Sequence, residues 1–207
     1  MKRIIIQNNN NINWSIFAAS SLHHLGVRHA CISPGARNSP LTFAFTEHSK
    51  IKCFSHVDER SSAFFALGLA KSTQKPVVLI STSGTAPANF YPAVIEASLS
   101  RVPLIILSAD RPPYLIGTGA NQTINQQNLY GRHVCNFTDV GLPQNNNESL
   151  KDHLFTAFQH SSGLKFEEPP GPVHLNFPFD EPLLPENVSG ISPLSFTFEN
   201  IEIPVVK

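Results

Sequence analysis

The stretch Val77–Asp110, VVLISTSGTAPANFYPAVIEASLSRVPLIILSAD, decides the fold. It opens on an apolar, β-branched run from Val77 to Ser81 and passes through the small-residue loop TSGTA. A helix over about Asn89 to Leu99 follows, and the stretch closes on a second apolar strand, PLIILSAD. Neither strand alternates apolar with polar residues. Each must therefore be covered on both faces, as in a parallel sheet lying between helices.

The same alternation extends outward in both directions. Upstream, Trp14, Phe17, Ala18, Leu22 and Leu25 keep a helical period, with Asn13 as the expected cap and Gly26 as the stop. The Asn run before them is low in complexity and is expected to be mobile. HACIS reads as a short buried strand ending in the turn Pro34-Gly35, and a helix is predicted from near Ser39 to near His48. A strand at Ile51 to Ser55 leads into HVDERSSAFFALGLAKS, a helix that reads as almost wholly buried. Downstream of Asp110, RPPYLIGTGANQTINQQNLYG is longer than an ordinary connection, and such loops are usually functional or mobile. A last helix near Glu148 to His160 runs through the breaker EEPPG into the strand PVHLNFPF. The expected fold class is α/β, a mostly parallel sheet with helices on both faces. One domain is expected over residues 1–186, followed by an extended linker at 187–207.

Composition excludes several function classes. Of 207 residues only 14% are charged and the formal net charge is zero, so the chain carries no electrostatic footprint for nucleic acid or an anionic membrane. The apolar runs fall far short of the ~20 residues a membrane-spanning helix needs, and MKRIIIQNNNN lacks the features of a secretory signal. A cytoplasmic protein is expected. The three cysteines, Cys31, Cys53 and Cys135, are too few and too dispersed for a disulfide framework and read as reduced core thiols. Neither His23–His24 nor His133–Cys135 supplies a full ligand set, so no metal site is expected on this chain.

In an open parallel sheet, ligands bind outside the carboxyl ends of the strands. That rule gathers four polar clusters on one edge: PGARNS, VDER, STSGT and ADRPP with its long loop. The pair Asp58 and Glu59 admits two readings. Asp58 is the natural helix cap, and Glu59 either complements the positive helix end or points across the strand ends as a hydrogen-bonding carboxyl. Arg37 and Arg111 follow buried strands beside Pro and Gly, where a guanidinium is either a solvated surface group or a two-pronged carboxylate receptor. Ser81, Thr82, Ser83, Gly84 and Thr85 form either a backbone nest for an anion or a tightly packed turn. Gly117–Ala120 is not a dinucleotide fingerprint, because it follows no strand and lacks the spacing.

Five blocks, CISPGARNSPLTFAF, HVDERSSAFFALGLAKS, VVLISTSGTAPANFYPAVIEA, IILSADRPPYLIGTGANQTINQ and GPVHLNFPFDEPL, carry a resemblance in order and spacing. They resemble the N-terminal pyrimidine-binding domain of thiamine diphosphate enzymes, most closely the menaquinone-pathway (MenD) synthase branch. The match runs from about Cys31 to Leu184. The resemblance implies that Glu59 hydrogen-bonds N1′ of the cofactor aminopyrimidine and favours the tautomer that takes a proton from C2 of the thiazolium. A carboxyl that can share a proton with a ring nitrogen suits that task, and arginine or lysine does not. Thr82, Ser83, Gly84 and Gln122 would join Glu59 at the cofactor.

MenD-type enzymes decarboxylate 2-oxoglutarate and add the succinyl unit to isochorismate. By resemblance, Arg37, Arg111, Asn121 and Gln122 line the acceptor side. Ala36 stands where the family pattern has serine, and Asn125 where some relatives carry arginine. In the superfamily the diphosphate and its Mg2+ are held by a GDG sequence and a later Asn on a C-terminal domain; GDG does not occur here. The chain is therefore expected to be about one third of an enzyme, inactive alone, and to function as a homodimer or homotetramer. A different thiamine diphosphate lyase or decarboxylase of acetohydroxyacid synthase type, or a non-catalytic association domain on the same fold, are the competing readings.

Overall fold

A computed structural model describes residues 9–164 and 168–185. The expected linker from residue 187 lies outside the described residues. The first helix, α1 (Asn10–Leu25), is followed by β1 (His29–Ile32), α2 (Ser39–Thr46), β2 (Lys52–Ser55), α3 (Glu59–Thr73) and β3 (Val77–Ser81). Then come a short 3-10 turn (Pro87–Phe90), α4 (Tyr91–Ser100), β4 (Leu104–Asp110), β5 (Asn136–Asp139), α5 (Glu148–Ser162) and β6 (Pro172–Pro178).

The strands form one sheet in the order β2-β1-β3-β4-β6-β5, and every neighbouring pair is parallel. The continuous apolar runs feed two cores at once. Val78, Ile80, Ile105 and Leu107 face a core built with α1, α2 and α5. Their neighbours Val77, Leu79, Leu104 and Ile106 face a second core built with α3 and α4. Successive side chains on a strand point to opposite faces, so a strand buried on both sides has to be apolar throughout.

Strand order reverses between β1 and β3, because the chain builds outward to β2 from one and to β4 from the other. Open parallel sheets bind ligands at the carboxyl edge beside such a reversal. Here the loops after β1 and β3 are in contact: a Cβ built on Gly35 would lie 2.5 Å from Thr82 Cβ, so only glycine lets the two loops meet.

Four local expectations are corrected. Asn9, not Asn13, caps α1, its Oδ1 accepting the Ile12 N–H at 3.1 Å. The end of the Asn run is ordered, since Asn9 Nδ2 donates to Pro182 O at 2.9 Å and Asn11 Nδ2 to Asp180 O at 2.6 Å. The side-chain amides thus satisfy carbonyls far away in sequence, which no local pattern announces. Helix α3 is not almost wholly buried: Ala63, Ala66, Leu67 and Ala70 face the core while Phe64 and Phe65 are each 43% exposed. Finally, Cys135 is exposed rather than a core thiol, whereas Cys31 is buried and Cys53 half-buried. The expected closure of α1 at Gly26 is present, with φ of 119° and its N–H donating to His23 O.

Candidate active site

The turn after β1 is shaped by Asn38. Its Oδ1 accepts the Gly35 N–H at 2.8 Å, and its Nδ2 donates to Ser33 O at 2.9 Å, so one buried amide closes Pro34–Arg37 into a compact loop. Arg37 leaves this loop and is 4% exposed. Its Nη1 donates to Phe179 O at 3.0 Å and its Nη2 to Glu181 at 3.2 Å, but its Nε is buried without an acceptor among the described residues.

At the end of β2 the two acids divide their roles. Asp58 is the cap of α3, accepting the Ser61 N–H at 2.6 Å. The Ser61 side chain, with its backbone N–H, holds the Asp58 carboxyl below the usual carboxylate range. Glu59 is the first helical residue and is half-buried. Among the described residues its carboxylate makes no hydrogen bond or ion pair.

After β3, Thr82 is buried against Gly35 and its Oγ1 has no hydrogen-bond partner among the described residues. Gly84 takes φ of 81°. A Cβ at Gly84 would lie 2.8 Å from Gln122 Cγ, so the long loop after β4 packs directly on this turn. The contact is reciprocal: Ser83 Oγ donates to Gln122 O and Gln122 Nε2 donates to Ser83 O, each at 3.1 Å. Those bonds hold Gln122 at a φ of 53°, a conformation that costs a non-glycine residue roughly 1 kcal/mol or more. The nest reading of this turn is limited, because the Gly84 N–H is already spent on Gln126 Oε1 at 2.8 Å.

After β4, Arg111 Nη2 donates to Asn121 O at 3.1 Å, leaving its buried Nε unpartnered among the described residues. The exposed Asn121 and Gln122 follow at the rim of the same loop. The structure therefore brings Thr82, Ser83, Gly84 and Gln122 into one packed unit and couples Arg111 to Asn121. No hydrogen bond or ion pair links Glu59 to either group among the described residues.

Beneath the loop lies a buried polar network for which the sequence reading had no signal. Ser108 Oγ stands 2.7 Å from His174 Nε2 and donates to Asn176 Oδ1 at 2.8 Å. Asn176 Nδ2 donates to Asp110 Oδ2 at 2.9 Å and to Asp139 Oδ2 at 3.2 Å. Gln127 Nε2 also donates to Asp139 Oδ2. Two carboxylates orient the Asn176 amide, so its Oδ1 must face Ser108. Ser108 then spends its proton on that oxygen and accepts from His174 Nε2–H, which sets the histidine tautomer. Burial pushes His174 down to about 3, and it stays neutral. Burial pushes the Asp110 carboxyl up to about 6; Asp139 adds to the rise, while the Asn176 bond and the Arg37 guanidinium oppose it.

Among the described residues no group of three or more His, Cys, Asp or Glu is placed to hold a metal ion, and no helix is long and apolar enough to cross a membrane. The Glu59 carboxylate, the buried Thr82 hydroxyl and the Nε–H groups of Arg37 and Arg111 are left without hydrogen-bond partners among the described residues.

The family described as thiamine pyrophosphate enzyme, N-terminal TPP binding domain, matches residues 15–129. The 2-succinyl-5-enolpyruvyl-6-hydroxy-3-cyclohexene-1-carboxylate synthase of Haloquadratum walsbyi is 49% identical over 193 residues, 93% of this chain and 31% of the relative. The proteins of that name from Listeria innocua and Halobacterium salinarum are 53% and 47% identical, over 77% and 91% of this chain and 27% and 32% of the relatives. The chain spans about a third of the length of the relatives it matches. With its parallel sheet, its polar carboxyl edge and a match over more than half its length, the chain belongs to the family of N-terminal TPP-binding domains of thiamine pyrophosphate enzymes.

Proposed function

We propose that this chain is the pyrimidine-binding part of a synthase that uses thiamine diphosphate to decarboxylate 2-oxoglutarate and adds the succinyl unit to isochorismate. The observation that carries the reading is Glu59, a half-buried carboxylate without a partner among the described residues, at the carboxyl edge of a thiamine-family sheet. When bound, thiamine diphosphate supplies a nucleophilic carbon and a sink for the electron pair released on loss of carbon dioxide. Glu59 holds a proton at the aminopyrimidine N1′. Thr82, Ser83, Gly84 and Gln122 form the packed wall that orients the ring. Arg37 and Arg111 offer their spare Nε–H groups to acceptor carboxylates, and Asn121 and Gln122 offer amides to hydroxyl or carbonyl oxygens. Magnesium and the diphosphate are assigned to a segment outside this chain, so the chain by itself is expected to be inactive. The working protein is taken to be a cytoplasmic homodimer or homotetramer.

The test is Glu59→Gln in the full-length native protein, assayed with thiamine diphosphate, magnesium, 2-oxoglutarate and isochorismate. Turnover should fall by about 10²–10⁴-fold, the usual share of a positioned acid-base group. Turnover that survives within about tenfold overturns the proton-holding role. Unsubstituted protein that consumes pyruvate but not 2-oxoglutarate would favour the acetohydroxyacid synthase type, and one that binds no cofactor would favour a non-catalytic association domain.

A further inference from the structure

Gln126 is 1% exposed, although it sits in a long loop whose neighbours Asn125 and Gln127 are exposed. Its amide spans the ends of several elements at once. Oε1 accepts the Gly84 N–H of the turn after β3 at 2.8 Å. Nε2 donates to Ala109 O of β4 at 3.2 Å and to Asn176 Oδ1 of β6 at 2.8 Å, with Ser108 Oγ 3.4 Å away. A buried amide is tolerated when both its ends are satisfied, and here both are.

The direction of these bonds is forced. Asp110 and Asp139 can only accept when ionised, so Asn176 turns its Nδ2 to them and its Oδ1 toward Gln126. Gln126 must then present its NH2 to Asn176 and its carbonyl to Gly84. The polarity set by two carboxylates beneath the sheet edge is thus transmitted to one backbone N–H in the turn after β3. That turn carries Ser83, whose paired bonds hold Gln122 in its left-handed conformation.

We propose that Gln126 is a positioning residue for cofactor binding, its amide fixing the Ser83–Gly84 turn and through it Gln122. This rests on the thiamine diphosphate reading above. The side chain touches no ligand; it sets where the wall of the site stands. Gln126→Glu keeps the shape but puts an oxygen against Ala109 O and Asn176 Oδ1, reversing the required polarity. Gln126→Met keeps the volume and removes the acceptor for Gly84 without adding a charge.

The experiment titrates thiamine diphosphate into the full-length native protein at excess magnesium, reading turnover of 2-oxoglutarate and isochorismate and, in parallel, calorimetric binding of the cofactor. Hydrogen exchange of the Thr82–Ala86 peptide monitors the turn. In both variants the half-saturating cofactor concentration should rise by about tenfold or more, kcat at saturation should stay within about threefold, and exchange at the turn should accelerate. Where Gln126→Glu does not fold, Gln126→Met carries the test. A half-saturating concentration within about twofold of the unsubstituted protein, or a fall in kcat alone, overturns the positioning role, since lost folded protein lowers kcat without moving that constant. If the unsubstituted protein binds thiamine diphosphate but does not turn over these two substrates, the synthase reading fails. The calorimetric affinities of the variants then still decide the role of Gln126.

Discussion

Arg37 Nη2 lies 3.2 Å from Glu181 Oε1, tying the turn after β1 to the segment that follows β6. The same segment is also held by Tyr114, whose hydroxyl donates to Asp180 Oδ1 at 2.8 Å, and by the side-chain amides of Asn9 and Asn11. An acceptor-binding candidate is therefore already engaged by an internal carboxylate. Its Nη1 is engaged by Phe179 O, and its Nε is left over.

The pair is lopsided, since the Arg37 side chain is 5% exposed and that of Glu181 is 73% exposed. Water screens the carboxylate, so the bond should behave as a surface pair rather than a buried one. Glu181→Gln is expected to lower unfolding free energy by about 1 kcal/mol or less in low salt. That loss should shrink in about 1 M salt, where the screening length is only ~3 Å. Urea midpoints at the two ionic strengths check both statements. A loss of several kcal/mol that ignores salt would show the pair to be shielded from solvent.

Gly35 and Thr82 bring the loops after β1 and β3 into contact. Gly35→Ala would place its Cβ 2.5 Å from Thr82 Cβ and 2.7 Å from Cγ2, and backbone on both sides would have to yield. The expected cost is about 1–3 kcal/mol of stability, the usual penalty for overpacking. Because the clash is with Thr82 itself, adding Thr82→Gly should recover a measurable part of the loss despite glycine's own entropy cost. Thermal unfolding of the two single variants and the double variant gives the coupling. Strict additivity would mean that the loops separate without consequence.

Asp110 makes stability depend on pH in an uncommon direction. Its folded carboxyl keeps its proton up to about 6, against an ordinary 3.8, chiefly because it is buried. Between those values the native state binds more protons at this site than the unfolded chain, so the contribution of Asp110 to stability declines as pH rises through that window and is flat above it. Asp110→Asn removes the titration. The stability of the variant relative to the unsubstituted protein should therefore shift in favour of the variant as pH rises from 3.8 to about 6. Urea unfolding of both proteins across this range is the measurement, and a constant difference would show that the carboxyl titrates normally.

Much of the architecture was legible because burial on both faces forces a continuous apolar run. Val77–Ser81, Leu104–Asp110 and Pro172–Pro178 were found that way, and each is buried along its whole length. The strand β5 escaped for the converse reason. Asn136, Phe137, Thr138 and Asp139 are all half-buried at the sheet margin, so nothing obliges them to be apolar. Phe64 and Phe65 misled in the other direction, since aromatic residues in a helix suggest burial while these stand partly open.

At the candidate site, residue type and spacing by themselves determined which loops carry polar chemistry and that Asp58 caps α3, while leaving Ser81–Thr85 open between an anion nest and a packed turn. The first two follow from the placement of loops after parallel strands and from local rules of capping. Only the tertiary structure decided that Glu181 meets Arg37, that Gln122 locks onto Ser83, and that Gln126 and Asn176 carry one polarity from two carboxylates to a single backbone N–H. Those contacts join residues 37 to 144 positions apart, and a hydrogen bond is set by direction and distance in space, which a linear pattern does not encode.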